Sequence, residues 1–380
     1  MRRRLAAVVV LVVLLSVAAI VLLRRGPTSG GVPRIAALLI LSGDLAPYGQ
    51  QIDRGQALAA EYLARRGVKV ERLQPYDFAG AKDKADELLR RAVRRDGARF
   101  FAGLMGTGTV EHCAPLIDSE QILVVDGTAT GDKLTGISEG FFRTIPRDDE
   151  AATQVLEWVK DAGHGANLVL LNAEDSWGTG LRASYEGAAK RLGLRIAQDP
   201  ADLVPKSATD TQIEAAATHL QQRKPSAVLL AIYGSTAAKL IRKLKESGVQ
   251  DLPMYGTDNL TGEFAELGGT FVGDARYVIA VSGSLKADIR ALYIEKFGQP
   301  EGGEVPAYVL TGFNAFLAAV EAYKASDGDV KKARQWLRTA TIDGAEGPFR
   351  FSAAGDFDGR KYARMQFVIQ DGKPVAQTAK

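Results

Sequence analysis

The sequence predicts an α/β protein built from two open units, each a parallel sheet with helices on both faces. Short, continuous apolar runs alternate with helical stretches, the pattern of strands buried on both faces. The alternation restarts once, after Phe141–Ile145, and 380 residues at about 150 per domain leave room for two such units.

In the first unit, the strand Ile35–Leu41 leads through the loop Ser42–Gly49 into a helix over Gln50–Arg66. A second strand, Val68–Leu73, precedes the charged amphipathic helix Lys82–Arg95. The strand Phe100–Leu104, the helix Val110–Asp118 and the strand Ile122–Val125 continue the series. The second unit alternates helices at Glu150–Ala162, Gly180–Leu192, Thr211–Gln222 and Thr236–Gly248 with strands at Asn167–Leu171, Leu194–Ala197, Ala227–Ile232 and Met254–Gly256. A strand at Arg276–Val281 leads to helices Leu285–Phe297, Ala307–Ala325 and Val330–Thr339. Two short strands, Phe349–Phe351 and Arg364–Ile369, close the chain. Open α/β sheets bind ligands outside the carboxyl ends of their strands, so the informative residues lie in the loops that follow strands.

The N-terminus is different in kind. Leu5–Leu23 is a run of 19 residues with Ser16 its one polar member. As a helix it extends about 28 Å, close to the hydrocarbon thickness of a bilayer. Such a segment is an uncleaved signal anchor or a cleavable signal peptide; its length favours the anchor. Gly26–Gly31 follows as a flexible tether. Five arginines in residues 1–31 also account for the formal charge of +3. The other 43 basic residues face 45 acidic ones, no excess with which to hold a nucleic-acid backbone. The single cysteine, Cys113, excludes an intrachain disulfide and is expected as a small buried hydrophobe.

Three loops of the first unit could hold a ligand. Ser42–Gly49 presents Tyr48, an aromatic ring with a polar tip. Met105-Gly106-Thr107-Gly108-Thr109 sits between a strand and a helix, where free N–H groups attract a carboxylate or phosphate. It is neither a Walker A loop nor the dinucleotide fingerprint, since no Lys-Ser/Thr pair follows and Glu111 stands at the third glycine. Asp126-Gly127-Thr128-Ala129-Thr130-Gly131 is a second hydroxyl-rich loop on a neighbouring strand end. From the second unit come Trp177, Tyr233 and Asp258, two rings to cover a ligand and an acid to pair with an ammonium. Asp148-Asp149 and Glu174-Asp175 are acids at helix starts, where the dipole favours them. His112, His164 and His219 lack metal-binding spacing, and no G-x-S-x-G elbow occurs, so the sequence predicts no metal, no cofactor and no catalytic centre.

These stretches, taken in order, resemble the type I periplasmic solute-binding proteins of the leucine/isoleucine/valine class. The resemblance is carried by Leu41-Ser42-Gly43 with Ala46-Pro47-Tyr48-Gly49, Gly106-Thr107-Gly108, Ala129-Thr130, Phe142-Arg143-Thr144-Ile145-Pro146, Trp177-Gly178-Thr179-Gly180, Tyr255-Gly256-Thr257-Asp258 and Gly347-Pro348-Phe349-Arg350-Phe351. It implies two lobes joined by three hinge crossovers, placed after Pro146, near Ser282 and near Gly344. Residues 32–146 and 283–344 would then form the N-terminal lobe, and 147–282 and 345–380 the C-terminal lobe. By the same resemblance Thr107 and Thr130 would hold a ligand carboxylate, the Thr128 carbonyl and Asp258 its amine, and Tyr48 and Tyr233 its flanks; Gly108, Ala129 and Trp177 complete the lining.

Two departures bear on the ligand. Asp126-Gly127 stands where the family commonly has Ser-Pro, setting a negative charge beside the expected carboxylate. Asp258 is one methylene shorter than the Glu of some members. Both favour an amine-bearing, polar or amide solute over a plain branched-chain amino acid. The resemblance further implies a non-enzymatic ABC importer component on the outer face of the cytoplasmic membrane. Its partners would be a permease, an ATPase and, through residues 5–23, the membrane. The alternative is a membrane-tethered sensing domain that signals through a partner protein.

Overall fold

The computed structural model describes residues 31–379, apart from 198, 262, 282, 301–302 and 359–360. The apolar span Leu5–Leu23 lies outside the described residues. Among those described, no helix is long and apolar enough to cross a membrane.

The first sheet is parallel throughout. Its order is β2 (Glu71–Arg72), β1 (Arg34–Leu39), β4 (Phe100–Leu104), β5 (Leu123–Asp126), β6 (Phe141–Arg143), and β3 (Tyr76–Asp77) also pairs with β1. The predicted strand Val68–Leu73 is thus reduced to the two residues of β2, and β3 follows beyond its end. The second sheet repeats this order: β8 (Ile196–Ala197), β7 (Leu168–Ala173), β10 (Ala227–Ala231), β11 (Met254–Gly256), β12 (Arg276–Val281), with β9 (Leu203–Val204) also on β7. In each sheet the strand order reverses beside the first strand, which opens a crevice at the carboxyl ends.

The second sheet departs from an all-parallel expectation. Beyond β12 it adds β16 (Lys361–Gln370) and β17 (Lys373–Thr378), both antiparallel. A two-residue turn joins them, Asp371 at φ 50° and Gly372 at φ 73°, the left-handed pair of a tight hairpin.

Helices cover both faces of each sheet. In the first lobe they are α1 (Ala46–Ala64), α2 (Lys82–Arg94), α3 (Thr107–Ser119), α9 (Ala287–Phe297), α10 (Ala307–Ser326) and α11 (Val330–Leu337). In the second they are α4 (Asp148–Asp161), α5 (Ser176–Leu192), α6 (Asp210–Arg223), α7 (Gly234–Glu246) and α8 (Glu263–Gly268). Successive residues of one strand feed opposite cores: Phe100 and Ala102 pack towards α10, and Phe101 between them towards α2 and α3. Val228 and Leu230 likewise oppose Ala227 and Leu229 in the second lobe. Helices α1 and α10 touch through glycine, since a Cβ on Gly55 would stand 2.1 Å from the Val309 carbonyl oxygen. Cys113 is buried in α3, and burial pushes its thiol up to about 12.

The third crossover does not fall near Gly344. β13 (Ile342–Gly344), β14 (Gly347–Phe351) and β15 (Phe357–Asp358) form a small antiparallel sheet. Its Phe349, Phe351 and Phe357 are buried in the first lobe's core with Phe142 and Phe316. The aromatic spacing of that segment decides its side. β16, from Lys361 on, is the next described element and belongs to the second sheet.

Candidate functional site

Helix starts bring most of the expected residues to the crevice. α1 begins at Ala46-Pro47 rather than at Gln50, because proline's fixed φ suits the first turn. Tyr48 therefore rides on a helix, not on a loop. α3 likewise begins at Thr107, following Gly106 at φ 96°, so Thr107 and Gly108 form its first turn. In the second lobe the Asp175 side chain caps α5 by accepting the Gly178 N–H at 2.9 Å, and this sets Trp177 in the first turn. Asn259 ties Asp258 down: its amide donates to the carbonyls of Leu230 (3.0 Å) and Ile232 (2.7 Å) and accepts from the Thr257 N–H (2.7 Å).

The lobes meet across these elements. The Tyr48 hydroxyl accepts the Gly234 N–H at 2.9 Å and donates to the Asn259 carbonyl at 3.4 Å. Tyr308 on α10 donates to Asp258 Oδ2 at 2.5 Å. Asp132 of the first lobe accepts from Ser184 Oγ at 2.5 Å and from the Asp149 N–H at 3.0 Å. On the rim, Ser207 donates to Asp44. The rings of Tyr48, Tyr233, Tyr308 and Trp177 form a continuous wall: Tyr48 meets Tyr308 edge-on at 5.3 Å, and Trp177 lies on Tyr233 at 4.8 Å. Tyr233 donates to Asp175 Oδ2 at 2.6 Å, and burial beside that carboxylate pushes its own hydroxyl well above the usual phenol range.

Asp126 does something other than face a ligand. Its carboxylate is fully buried and accepts four bonds, from the N–H groups of Leu104, Thr128 and Ala129 and the hydroxyl of Thr128. It folds its own loop as an Asx turn, so the expected effect of a free charge there is overturned. Thr128 Oγ1 accepts the Gly106 N–H at 2.9 Å, and Thr107 Oγ1 accepts the Gly131 N–H at 3.2 Å. The two hydroxyl-rich loops thus bind each other through those side chains. Gly108 lies against Lys82 and Ser176, either of which an added Cβ would meet at 3.1 Å. Arg143, fully buried, fixes the Ala129–Gly131 turn by donating to both carbonyls, at 3.2 and 2.9 Å.

What remains unspent is a compact polar set. Thr130 Oγ1, Asp148 Oδ2 and the Tyr185 hydroxyl are all buried and close no hydrogen bond of good geometry within the protein. They are neighbours: the Asp148 N–H donates to the Thr130 carbonyl at 3.0 Å, and the Thr130 hydroxyl lies beside the Asp148 carboxyl. Burial holds Asp148 well above the usual carboxylate range, and the nearby charges of Asp258 and Asp132 add to this. Burial also raises Asp258, and it raises Tyr185 together with the charges of Asp148 and Asp258.

Asp148, Tyr185, Tyr308 and Asp132 were not expected from the sequence. Asp148 is at the start of α4, as its reading predicts, but its side chain is 1% exposed and turned inward rather than solvated. Tyr185 sits at an interior helix position, where an aromatic residue carries the periodicity of a core, and Tyr308 is in the first turn of α10. The aromatic spacing of α5 and α10 gives no sign that their hydroxyls face a cleft.

The sequence matches the periplasmic binding protein family over residues 33–373. The Leu/Ile/Val-binding protein homolog 3 of Brucella melitensis is 26% identical over 356 residues, 90% of this chain and 92% of that protein. Among solved structures, the branched-chain amino acid transporter substrate binding protein LivJ from Streptococcus pneumoniae, in complex with isoleucine, is similar with a TM-score of 0.77 at 18% identity. The match covers 92% of this chain and 100% of that one. A solute binding protein of an ABC transporter from R. palustris, in complex with benzoate, gives a TM-score of 0.79 at 20% identity, over 92% and 96%. The match of the family over residues 33–373, on two sheets of one strand order, shows that the chain belongs to the periplasmic binding protein family.

Proposed function

We propose that this protein is the extracytoplasmic substrate-binding component of an ABC importer, closing its two lobes on an amino acid or a related small polar solute. One observation carries the reading: Thr130 Oγ1 of one lobe and Asp148 Oδ2 and the Tyr185 hydroxyl of the other are buried and close no hydrogen bond of good geometry within the protein. Buried polar groups are nearly always hydrogen-bonded, and a solute with donors and acceptors would satisfy these three at once. Tyr48, Tyr233 and Trp177 would wall the solute, Asp258 would take an amine, and Thr107, Gly108, Thr128 and Ala129 would shape the loops behind it. Closure is a hinge motion that the solute drives through its higher affinity for the closed form.

Family membership supports an extracytoplasmic location, and the relatives named for Leu/Ile/Val binding support an amino-acid-like solute. The apolar span Leu5–Leu23 supports attachment to the cytoplasmic membrane beside a permease and ATPase. The role is binding rather than catalysis. The test is calorimetry with a panel of amino acids and amides on the purified chain. Micromolar binding of at least one is expected; no binding of any at millimolar concentration would overturn the reading.

A further inference from the structure

We infer that the cleft selects a net-cationic amine, held between Asp148 and Asp258, over a zwitterion with an uncharged side chain. The inference rests on the reading of the cleft as the solute site and names the charge class of the solute.

The first support is a count of what the site can offer. Of the backbone N–H groups of the two loops, four are already committed, Gly106 to Thr128, Gly131 to Thr107, and Thr128 and Ala129 to Asp126, which leaves those of Thr107, Gly108 and Thr130. Among the side chains beside these loops, the buried atoms that close no bond of good geometry include a carboxylate oxygen, on Asp148, and two hydroxyls, on Thr130 and Tyr185. Both hydroxyls can accept, and with Asp148 Oδ2 they form a set suited to the three donors of an ammonium group.

The second support is the charge balance. Asp148 is buried, and the charges of Asp258 and Asp132 both act upon it. Of these three acids, Asp132 is occupied by Ser184 and the Asp149 N–H, and Asp258 by Tyr308. One cation acts on Asp148, namely Arg143, and its guanidinium is spent on Asp356, Thr135 and the carbonyls of Ala129 and Gly131. The remaining groups facing Asp148 are Thr130, Tyr185 and Tyr233, none of them a cation. A single zwitterionic amine brings its own carboxylate and leaves uncompensated the charge that Asp148 takes on when a ligand amine displaces its proton. A solute with net positive charge compensates it, and opposite charge in a desolvated cleft is a strong discriminator.

The experiment compares lysine with norleucine, which differ by one amine on the same stem, and adds putrescine and benzoate. Each is titrated calorimetrically into the full-length chain in detergent at neutral pH. Lysine, putrescine or both should bind at least about tenfold more tightly than norleucine. Lysine alone would show that a carboxylate is read as well; putrescine alone, that none is. In Asp148→Asn the lysine or putrescine preference should fall by about tenfold or more, with the circular dichroism spectrum unchanged. If that variant does not fold, the lysine–norleucine comparison on the unaltered chain decides by itself. Norleucine or benzoate binding as tightly as the amines would overturn the inference and leave the solute-binding reading standing. No binding of any of the four would overturn the inference; a further panel of neutral amino acids and amides would then decide the broader reading.

Discussion

Tyr308 of the first lobe donates its hydroxyl to Asp258 of the second at 2.5 Å, so one hydrogen bond spans the crevice at the residue expected to meet an amine. Both partners are shifted by burial, Tyr308 well above the phenol range and Asp258 above the carboxylate range. The bond helps to hold the lobes shut, and a hydrogen bond to a charged group contributes about 1.5–3 kcal/mol. Tyr308→Phe should therefore shift the protein towards the open form. Small-angle scattering of the solute-free variant should give a larger radius of gyration, and solute affinity should fall about tenfold. An unchanged radius together with unchanged affinity would remove Tyr308 from the closure mechanism.

Thr130→Ala and Asp258→Ala probe the two sides of the site separately. Each removes a group that the proposed solute would engage, and each should weaken binding by about 2 kcal/mol, as for a buried partner left unpaired. Calorimetry reads the affinity, and a denaturant melt checks that folding is retained. Unchanged affinity in both would move the solute site elsewhere.

Gly234 tests closure without touching charge. A Cβ there would stand 2.8 Å from the Asn259 carbonyl oxygen and 2.9 Å from the Tyr48 hydroxyl, so Gly234→Ala pushes against the Tyr48 contact between lobes. The expected result is weaker solute binding together with some loss of melting temperature, because the Asn259 carbonyl and the Phe264 Cβ, 3.3 Å from the added atom, belong to the second lobe itself. A large fall in melting temperature with intact affinity would mean that the glycine serves packing within its lobe.

Arg143→Met should be the most damaging of these changes to stability. The guanidinium joins β6 to Asp356, with Nε donating at 2.7 Å, and pins the Ala129–Gly131 turn. Removing one member of a buried pair typically costs about 3–5 kcal/mol. Urea denaturation should show a loss of that order, accompanied by loss of solute binding. A loss within error of zero would mean that Asp356 and the turn are held without it.

The raised carboxyl of Asp148 gives stability a definite dependence on pH. The folded protein favours its protonated form, because burial and the charges of Asp258 and Asp132 oppose ionisation, with Arg143 and Thr130 countering. That stabilisation is complete below the unfolded carboxylate value near about 4 and is lost as pH rises through the raised folded value. Solute-free melting temperature should fall with rising pH across this window, and the fall should be smaller in Asp148→Asn. A solute amine would displace the proton, so binding in this window should release protons, read as a dependence of calorimetric heat on the buffer's ionisation enthalpy. Identical pH profiles for the two proteins would show that Asp148 titrates normally.

Local sequence made the scaffold legible. Continuous apolar runs such as Phe100–Leu104 and Ala227–Ala231 can only be strands covered on both faces, and the loops after them had to carry the site. Tyr48, Thr130, Tyr233 and Asp258 were accessible to that argument because each lies just beyond a strand. The Asx turn of Asp126 was also written locally, in an Asp followed at two and three residues by the N–H groups it accepts, although its charge suggested a ligand role instead.

Three things were decided only by the tertiary structure. Asp148 has the sequence context of any acid at a helix start; only the packing of α4 beneath the Thr130 loop buries it and withholds partners. Tyr185 and Tyr308 are buried aromatics, and only the packing of the chain sets the Tyr308 hydroxyl on Asp258, 50 residues away, and leaves the Tyr185 hydroxyl buried without a bond of good geometry. The strand Gly347–Phe351 joins the first lobe because its phenylalanines find Phe142 and Phe316, a match of shape that no window of sequence contains. Periodicity determines which face of an element is buried; it carries no information about what lies opposite, and a binding site is made of what lies opposite.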